Sequence, residues 1–221
     1  MDNGSRAYDL DDLVALFDAS DLQRAVLVSM PFPFGGLNTR SRHCELYLQT
    51  SAYNLCKLQF LSWAKAVVLL DVDEVLLPQK SGCTVFDLAR RSPFGFVRFG
   101  GSNRLPGAKD QPPFEFKHHS WMRSGKEASH KTWSIVPTGP LGRFQWRCHN
   151  LECNIFARWQ TLPGQYFYHC LGIGTGWKGK NRARPGCELV LDTQAAAFWS
   201  QTFNQATAIR PKGQKKIVRC A

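Results

Sequence analysis

Residues 71–74 read Asp-Val-Asp-Glu, three carboxylates in four positions, directly after an apolar run at 66–70. Two aspartates one residue apart present hard oxygens to a divalent cation such as Mg²⁺ or Mn²⁺, which then bridges to substrate phosphates. Buried charges need partners, and in open α/β sheets ligands collect beyond the carboxyl ends of the strands. The plainer reading of the same residues is a solvated strand end or helix cap, and Asp-x-Asp alone does not separate the two. Asp71, Asp73 and Glu74 are therefore candidate metal-site residues. A second candidate set is Cys148, His149, Cys153, His169 and Cys170, but it lacks the paired C-x-x-C spacing of structural zinc sites. The basic segment 178–184, KGKNRAR, follows a glycine-rich turn and Trp177. Lys178, Lys180 and Arg182 suit a loop closing over phosphates, and equally a solvated basic loop.

The elements that must position these groups follow from pattern. Residues 66–70 read as a strand buried on both faces and ending in the acids at 71–74, because short continuous apolar runs mark the interior of parallel sheets. Residues 8–19 read as a helix capped by Asp9, with Leu10, Leu13, Val14 and Phe17 at helical spacing. A short buried strand covers 25–30, and a helix covers 42–65, with Leu46, Tyr53, Cys56, Phe60 and Trp63 as its core stripe. Alternating helices and strands are the mark of βαβ units. Beyond Pro78 come a short helix from Thr84, a strand over 95–100, a polar loop over 101–113, a strand over 132–136 and an aromatic strand over 165–169.

The 221 residues suffice for one good core. A hydrophobic content of 43 % describes a globular chain and not a disordered one. No run approaches eighteen apolar residues, and residues 1–5 lack the basic and apolar regions of a signal peptide. The net charge of +11 favours anionic partners. It is uneven: residues 1–30 lean acidic, while 178–184 and 210–219 are strongly basic, the latter read as a solvated tail. The eight cysteines are irregularly spaced, and their pairing is not readable from sequence.

Several features stand in a telling order: DNGS at 2–5, Asp9, VVLLDVDEVLLP, FVRFGGSNRLP, HKTWSIVP at 130–137, His149 and YHCLGIGTGW around His169. This order resembles glycosyltransferase family 92, a family of the GT-A fold, from residue 2 to about 185. The resemblance implies an α/β fold with a mixed, mainly parallel, Rossmann-like sheet flanked by helices. It implies one domain over 1–221: a nucleotide- and metal-binding half (1–80), an acceptor-side half (81–190) and a basic tail (191–221). In the family a nucleotide-binding strand precedes the DN-S motif, and an anchor and stem precede that strand. The expectation for this chain, which starts inside the motif, is an N-terminally truncated domain.

The implied activity is transfer of a hexose, galactose foremost, from a UDP-sugar to a glycan or glycoprotein hydroxyl, with Mn²⁺ or Mg²⁺ as cofactor. Asp71, Asp73 and His169 would be the metal residues, with Asp71 also toward the ribose and Glu74 in support. Asn3 and Asp9 would meet the nucleotide, and Lys178, Lys180 and Arg182 the diphosphate, with Lys131 a further cation. Glu115 is the candidate general base, with Glu127 and Glu152 as alternatives. Trp121, Trp133, Trp146, Trp159 and Trp177 are candidates for sugar stacking, Trp177 foremost; most such residues are core. The implied location is the Golgi lumen, with membrane contact only through an anchor outside this chain, or the cytoplasm for a prokaryotic relative. Two other readings stay open: a non-catalytic carbohydrate- or nucleotide-binding remnant, and a basic nucleic-acid-binding protein. The second is not expected, because the basic residues follow no DNA or RNA motif.

Overall fold

A computed structural model describes residues 10–19, 25–28, 47–79, 82–110, 114–124, 130–173, 188–206 and 217–220. The chain divides into two compact units, Met1–Tyr53 with Asn204–Ala221, and Asn54–Phe203.

In the first unit, helix α1 (Leu10–Ala19) carries Asp11 and Asp12 in its first turn, where the helix dipole favours acids. Its expected cap, Asp9, lies outside the described residues. Strand β1 (Ala25–Val28) pairs in parallel with β9 (Ile217–Cys220), so the segment read as a basic tail contains a strand. Helix α2 is Tyr47–Cys56.

In the second unit, Lys57–Leu61 forms a π-helical turn. This turn ends the predicted helix early and shifts its phase, since a π-turn inserts a residue into the helical repeat. The expected core stripe breaks as a result: Trp63 is 71 % exposed. The predicted strand over 66–70 is only the two-residue β2 (Val67–Val68), and after a turn at Asp71–Glu74 comes a further short strand, β3 (Glu74–Leu76). Both are half-buried, because each lies at an edge of the sheet.

Helix α3 (Val85–Arg91) begins as the sequence predicts, with a capping box: Asp87 N–H donates to Thr84 Oγ1 (3.2 Å) and Thr84 N–H to Asp87 Oδ2 (3.1 Å). Strand β4 (Phe96–Arg104) runs well past the predicted end at 100. Pairing overrides the low strand propensity of Gly100-Gly101-Ser102-Asn103, with a partner strand on either side of the glycines and one alone beside Ser102 and Asn103. Strands β5 (Trp121–Arg123), β6 (His130–Ile135), β7 (Thr161–Cys170) and β8 (Leu189–Leu191) follow, then helix α4 (Thr193–Ala206). Asp192 caps α4 through Gln194 N–H (2.9 Å).

The main sheet has the order β2-β6-β4-β7-β3. Only β4 and β7 run parallel in it; the other three pairings are antiparallel. This α/β sheet is therefore mixed and mostly antiparallel, which corrects the mainly parallel expectation. The physical reason is the connection: the chain passes from β2 to β3 through the Asp71–Glu74 turn with no helical crossover, and each of these strands pairs antiparallel at an opposite edge. The pair β5–β8 forms a separate antiparallel ribbon.

The sheet buries two faces. On one, Val97, Phe99, Phe167 and Leu76 pack beneath Val85 and Ala89 of α3. On the other, Phe96, Trp133 and Trp146 contact ring to ring at one end, and Tyr168 and Cys170 meet Ala195 and Trp199 of α4 at the other. Arg104, almost fully buried, lies over the Tyr168 ring at 4.5 Å and is paired with Asp192.

Candidate metal and donor site

The acidic turn crosses the sheet. Since β2 and β3 lie at opposite edges, residues 69–73 carry the chain from one side to the other. Leu69 N–H donates to Trp133 O (3.2 Å) at the start of this crossing, and Cys170 N–H donates to Asp73 O (2.7 Å) at its end. Asp73 is thereby fixed beside the last residues of β7. The site sits at the carboxyl ends of this sheet's parallel pair, β4 and β7, where α/β sheets place ligands.

Register brings three strands together there. Asn103 of β4 lies opposite His169 of β7, and His169 lies opposite Glu74 of β3. Two residues back along the same face, the row is Gly101, Phe167 and Leu76. An apolar row beneath α3 thus gives way to a polar row beyond it, as the two-residue period of a strand requires.

His169 Nδ1 is 3.1 Å from Asn103 Oδ1, and Nε2 is 3.4 Å from Asp73 Oδ2. With the carboxamide oxygen assigned to that side, Nδ1 carries the proton and Nε2 faces a carboxylate oxygen. That spacing leaves room for a proton or a cation between them. The side chains of His169 and Asp73 are 15 % and 14 % exposed, shielded but open to a small ligand.

The donor set fits a divalent cation of the Mg²⁺/Mn²⁺ kind. Ligands at right angles on an octahedral ion, about 2.1 Å from it, stand about 3 Å apart, near the observed spacing. Among the described residues no group of three or more His, Cys, Asp or Glu side chains converges to hold a metal ion. A protein-borne pair is nonetheless what such ions take when substrate phosphates complete the shell. Asp71, expected as a further ligand, is exposed and caps the turn through its backbone, its N–H donating to Glu74 Oε2 (3.2 Å). Burial pushes the Glu74 carboxyl up to about 7; the Asp71 and Asp73 charges push the same way, while the Asp71 N–H and His169 oppose them.

Sequence reasoning missed Asn103, which sat in a predicted loop, and the reason for Gly101. A Cβ at Gly101 would lie 2.4 Å from Phe167 Cε2 and Cζ, so only glycine lets that ring lie across β4. It also missed His119, whose ring nitrogens lie 2.9 Å from Glu115 O and 3.0 Å from Leu171 O, tying the 115–119 loop to the chain just past His169.

The other candidates fall elsewhere. Asn3, Asp9, Glu127, Trp177, Lys178, Lys180 and Arg182 lie outside the described residues. Lys131 pairs with Gly100, on the face opposite His169. His149 is exposed, with Nδ1 2.9 Å from Lys131 O. Glu152 is paired with Arg147. Glu115 is exposed and bonded to Lys117 at 2.9 Å, which holds its carboxylate below the usual range. A base working near neutrality wants the opposite shift. Cys56, Cys83, Cys148, Cys153 and Cys170 form no disulfide among the described residues, and burial pushes the Cys170 thiol up to about 12. The mixed cysteine–histidine zinc set does not assemble among the described residues. Trp133 and Trp146 are core, while Trp159 is exposed.

No curated protein and no solved structure matches the chain. The model of glycosyltransferase family 92 matches residues 21–103, a stretch that holds Asp71, Asp73, Glu74 and Asn103 and stops short of His169. Over those residues the chain is similar to glycosyltransferase family 92.

Proposed function

We propose that this chain is a metal-dependent glycosyltransferase on a GT-A-type scaffold, moving a hexose from a UDP-sugar to a hydroxyl of a glycan. Galactose is the first donor to try, and a luminal, Golgi-type location belongs to the same reading. No helix among the described residues is long and apolar enough to cross a membrane.

The observation that carries the reading is the approach of His169 to Asp73, with Asn103 fixing the imidazole, beside a turn inside the family-matched stretch. Asp73 and His169 would hold the ion, Mn²⁺ or Mg²⁺. Bound there, it would neutralise charge developing on the leaving diphosphate. Asn103, against Nδ1 of His169, would keep Nε2 turned to such an ion, the role outer-shell partners play at metal sites. Asp71, exposed at the head of the turn, would meet the ribose hydroxyls. Glu74, on the strand opposite His169, braces the turn through the Asp71 N–H.

The test is titration calorimetry of UDP with and without Mn²⁺, on the intact chain and on Asp73→Ala, followed by release of hexose from UDP-galactose. Mn²⁺-dependent UDP binding that Asp73→Ala abolishes is the expected result. Metal-independent binding, or binding unchanged by Asp73→Ala, would sink the site assignment. Binding without sugar release would leave the non-catalytic remnant as the better reading.

A further inference from the structure

A second feature lies away from the acidic turn. Phe156 and Trp159 stack at 5.6 Å between ring centroids and 29° between planes, yet they are 48 % and 78 % exposed. Two large rings stacked in water bury too little surface to be there for the fold alone. They border a groove of about 370 Å³, within the range of small-molecule sites. Phe94, 44 % exposed, and Pro93 form another wall, and Arg91 and Ser92 add polar groups.

The groove holds one group in need of a partner. Gln160 is 8 % exposed; its Oε1 accepts from Asn154 Nδ2 at 2.8 Å, but its Nε2 has no acceptor among the described residues. A buried donor left unpaired costs about 1–3 kcal/mol, and it is tolerated more readily where a ligand supplies the acceptor.

From these observations we infer that the Phe156–Trp159 groove is a carbohydrate subsite, binding a neutral pyranose of the acceptor glycan apart from the donor site. A pyranose has an apolar C–H face that packs on aromatic rings, and an edge of hydroxyls, each an acceptor for an amide N–H. Hydrocarbon, as in a lipid tail, would leave Gln160 Nε2 unpaired. The choice of a glycan as occupant rests on the glycosyl-transfer reading; the groove geometry does not. Neither Asp73 nor His169 lines the groove, so the subsite acts by holding the acceptor and not by touching the reacting atoms.

The experiment uses lactose, chitobiose and mannobiose as probes, in the absence of UDP and metal. Binding is read by saturation-transfer NMR and by tryptophan fluorescence. The chains compared are the intact one, Trp159→Ala, Gln160→Leu and Asp73→Ala. Trp159 is exposed, so its loss leaves the fold in place; Gln160→Leu removes the unpaired Nε2 together with the Oε1 that accepts from Asn154, so its unfolding midpoint is read beside its binding. At least one sugar is expected to bind the intact and Asp73→Ala chains equally and Trp159→Ala not measurably. Gln160→Leu should weaken binding about three- to tenfold, one hydrogen bond's worth. Binding that survives Trp159→Ala, failure of all three sugars, or preference for phosphatidylcholine vesicles would each overturn the proposal. Sugar binding without Mn²⁺-dependent UDP binding would support the subsite and remove the donor site; the converse would do the reverse.

Discussion

Replacing Glu74 with glutamine tests the electrostatics of the turn most directly. Glu74 is half-buried, with Asp71 and Asp73 on either side of the same turn, and its carboxyl is pushed from 4.5 up to about 7. A carboxyl raised in the folded state binds its proton more tightly folded than unfolded. Its contribution to stability is therefore complete below pH 4.5, declines as pH rises through 7, and is flat above that. At 1.36 kcal/mol per pH unit across that window, ionisation costs the folded chain about 3 kcal/mol. A glutamine at this position cannot ionise, and its Oε1 can still accept the Asp71 N–H.

The assay is urea unfolding in EDTA at intervals from pH 4.5 to 8, wild type against Glu74→Gln. Subtracting the two curves cancels every other titrating group to first approximation. The variant is expected to match wild type near pH 4.5 and to exceed it by up to about 3 kcal/mol at pH 8. Two parallel curves would refute the reasoning, since they would mean that Glu74 ionises alike in the folded and unfolded chain. A variant less stable at pH 8 would go further and show that the carboxylate is held there by cations.

Two other substitutions probe the same end of the sheet. Gly101→Ala puts a Cβ 2.4 Å from the buried Phe167 ring; such overpacking should cost about 1–3 kcal/mol, read by the same unfolding assay. An unchanged midpoint would mean the ring has room to move. Asn103→Leu removes the oxygen facing His169 Nδ1 and should lower Mn²⁺ affinity in the presence of UDP about 10- to 100-fold. Its unfolding midpoint in EDTA should hold, and a fall in that midpoint in place of the affinity loss would make Asn103 purely structural.

What the sequence showed depended on whether the signal was local. Thr84 and Asp87 announced α3 because a capping box is complete within four residues. The acids at 71–74 were conspicuous as a strand end, but their turn across the sheet was not, because an apolar run fits a buried central strand as well as a short edge strand. His169 was singled out through its place in the family order, while Asn103 was not singled out at all. Its role exists only because β4 and β7 run parallel in one register, and nothing in residues 101–104 predicts a strand. Trp159 was one of five candidate tryptophans, and exposure separates it from the buried Trp133 and Trp146. Side-chain type proposes such residues, and sheet register and burial select among them.

The charge distribution adds a constraint of its own. A chain of net charge +11 draws anions toward it, yet the site at the ends of β4 and β7 presents Asp71, Asp73 and Glu74 to whatever arrives. A nucleoside diphosphate and three carboxylates repel one another, and Glu74 already gives way by holding its proton up to about pH 7. A divalent cation between Asp73 and His169 would offset two of those charges and set a local positive centre in the turn for a diphosphate to meet. On this view the donor does not bind first and recruit its metal. UDP affinity without Mn²⁺ should be weakest where Glu74 is ionised, so the gain from Mn²⁺ should grow from pH 6 to pH 8. A gain that is constant across that range would mean the acids are not what the metal answers.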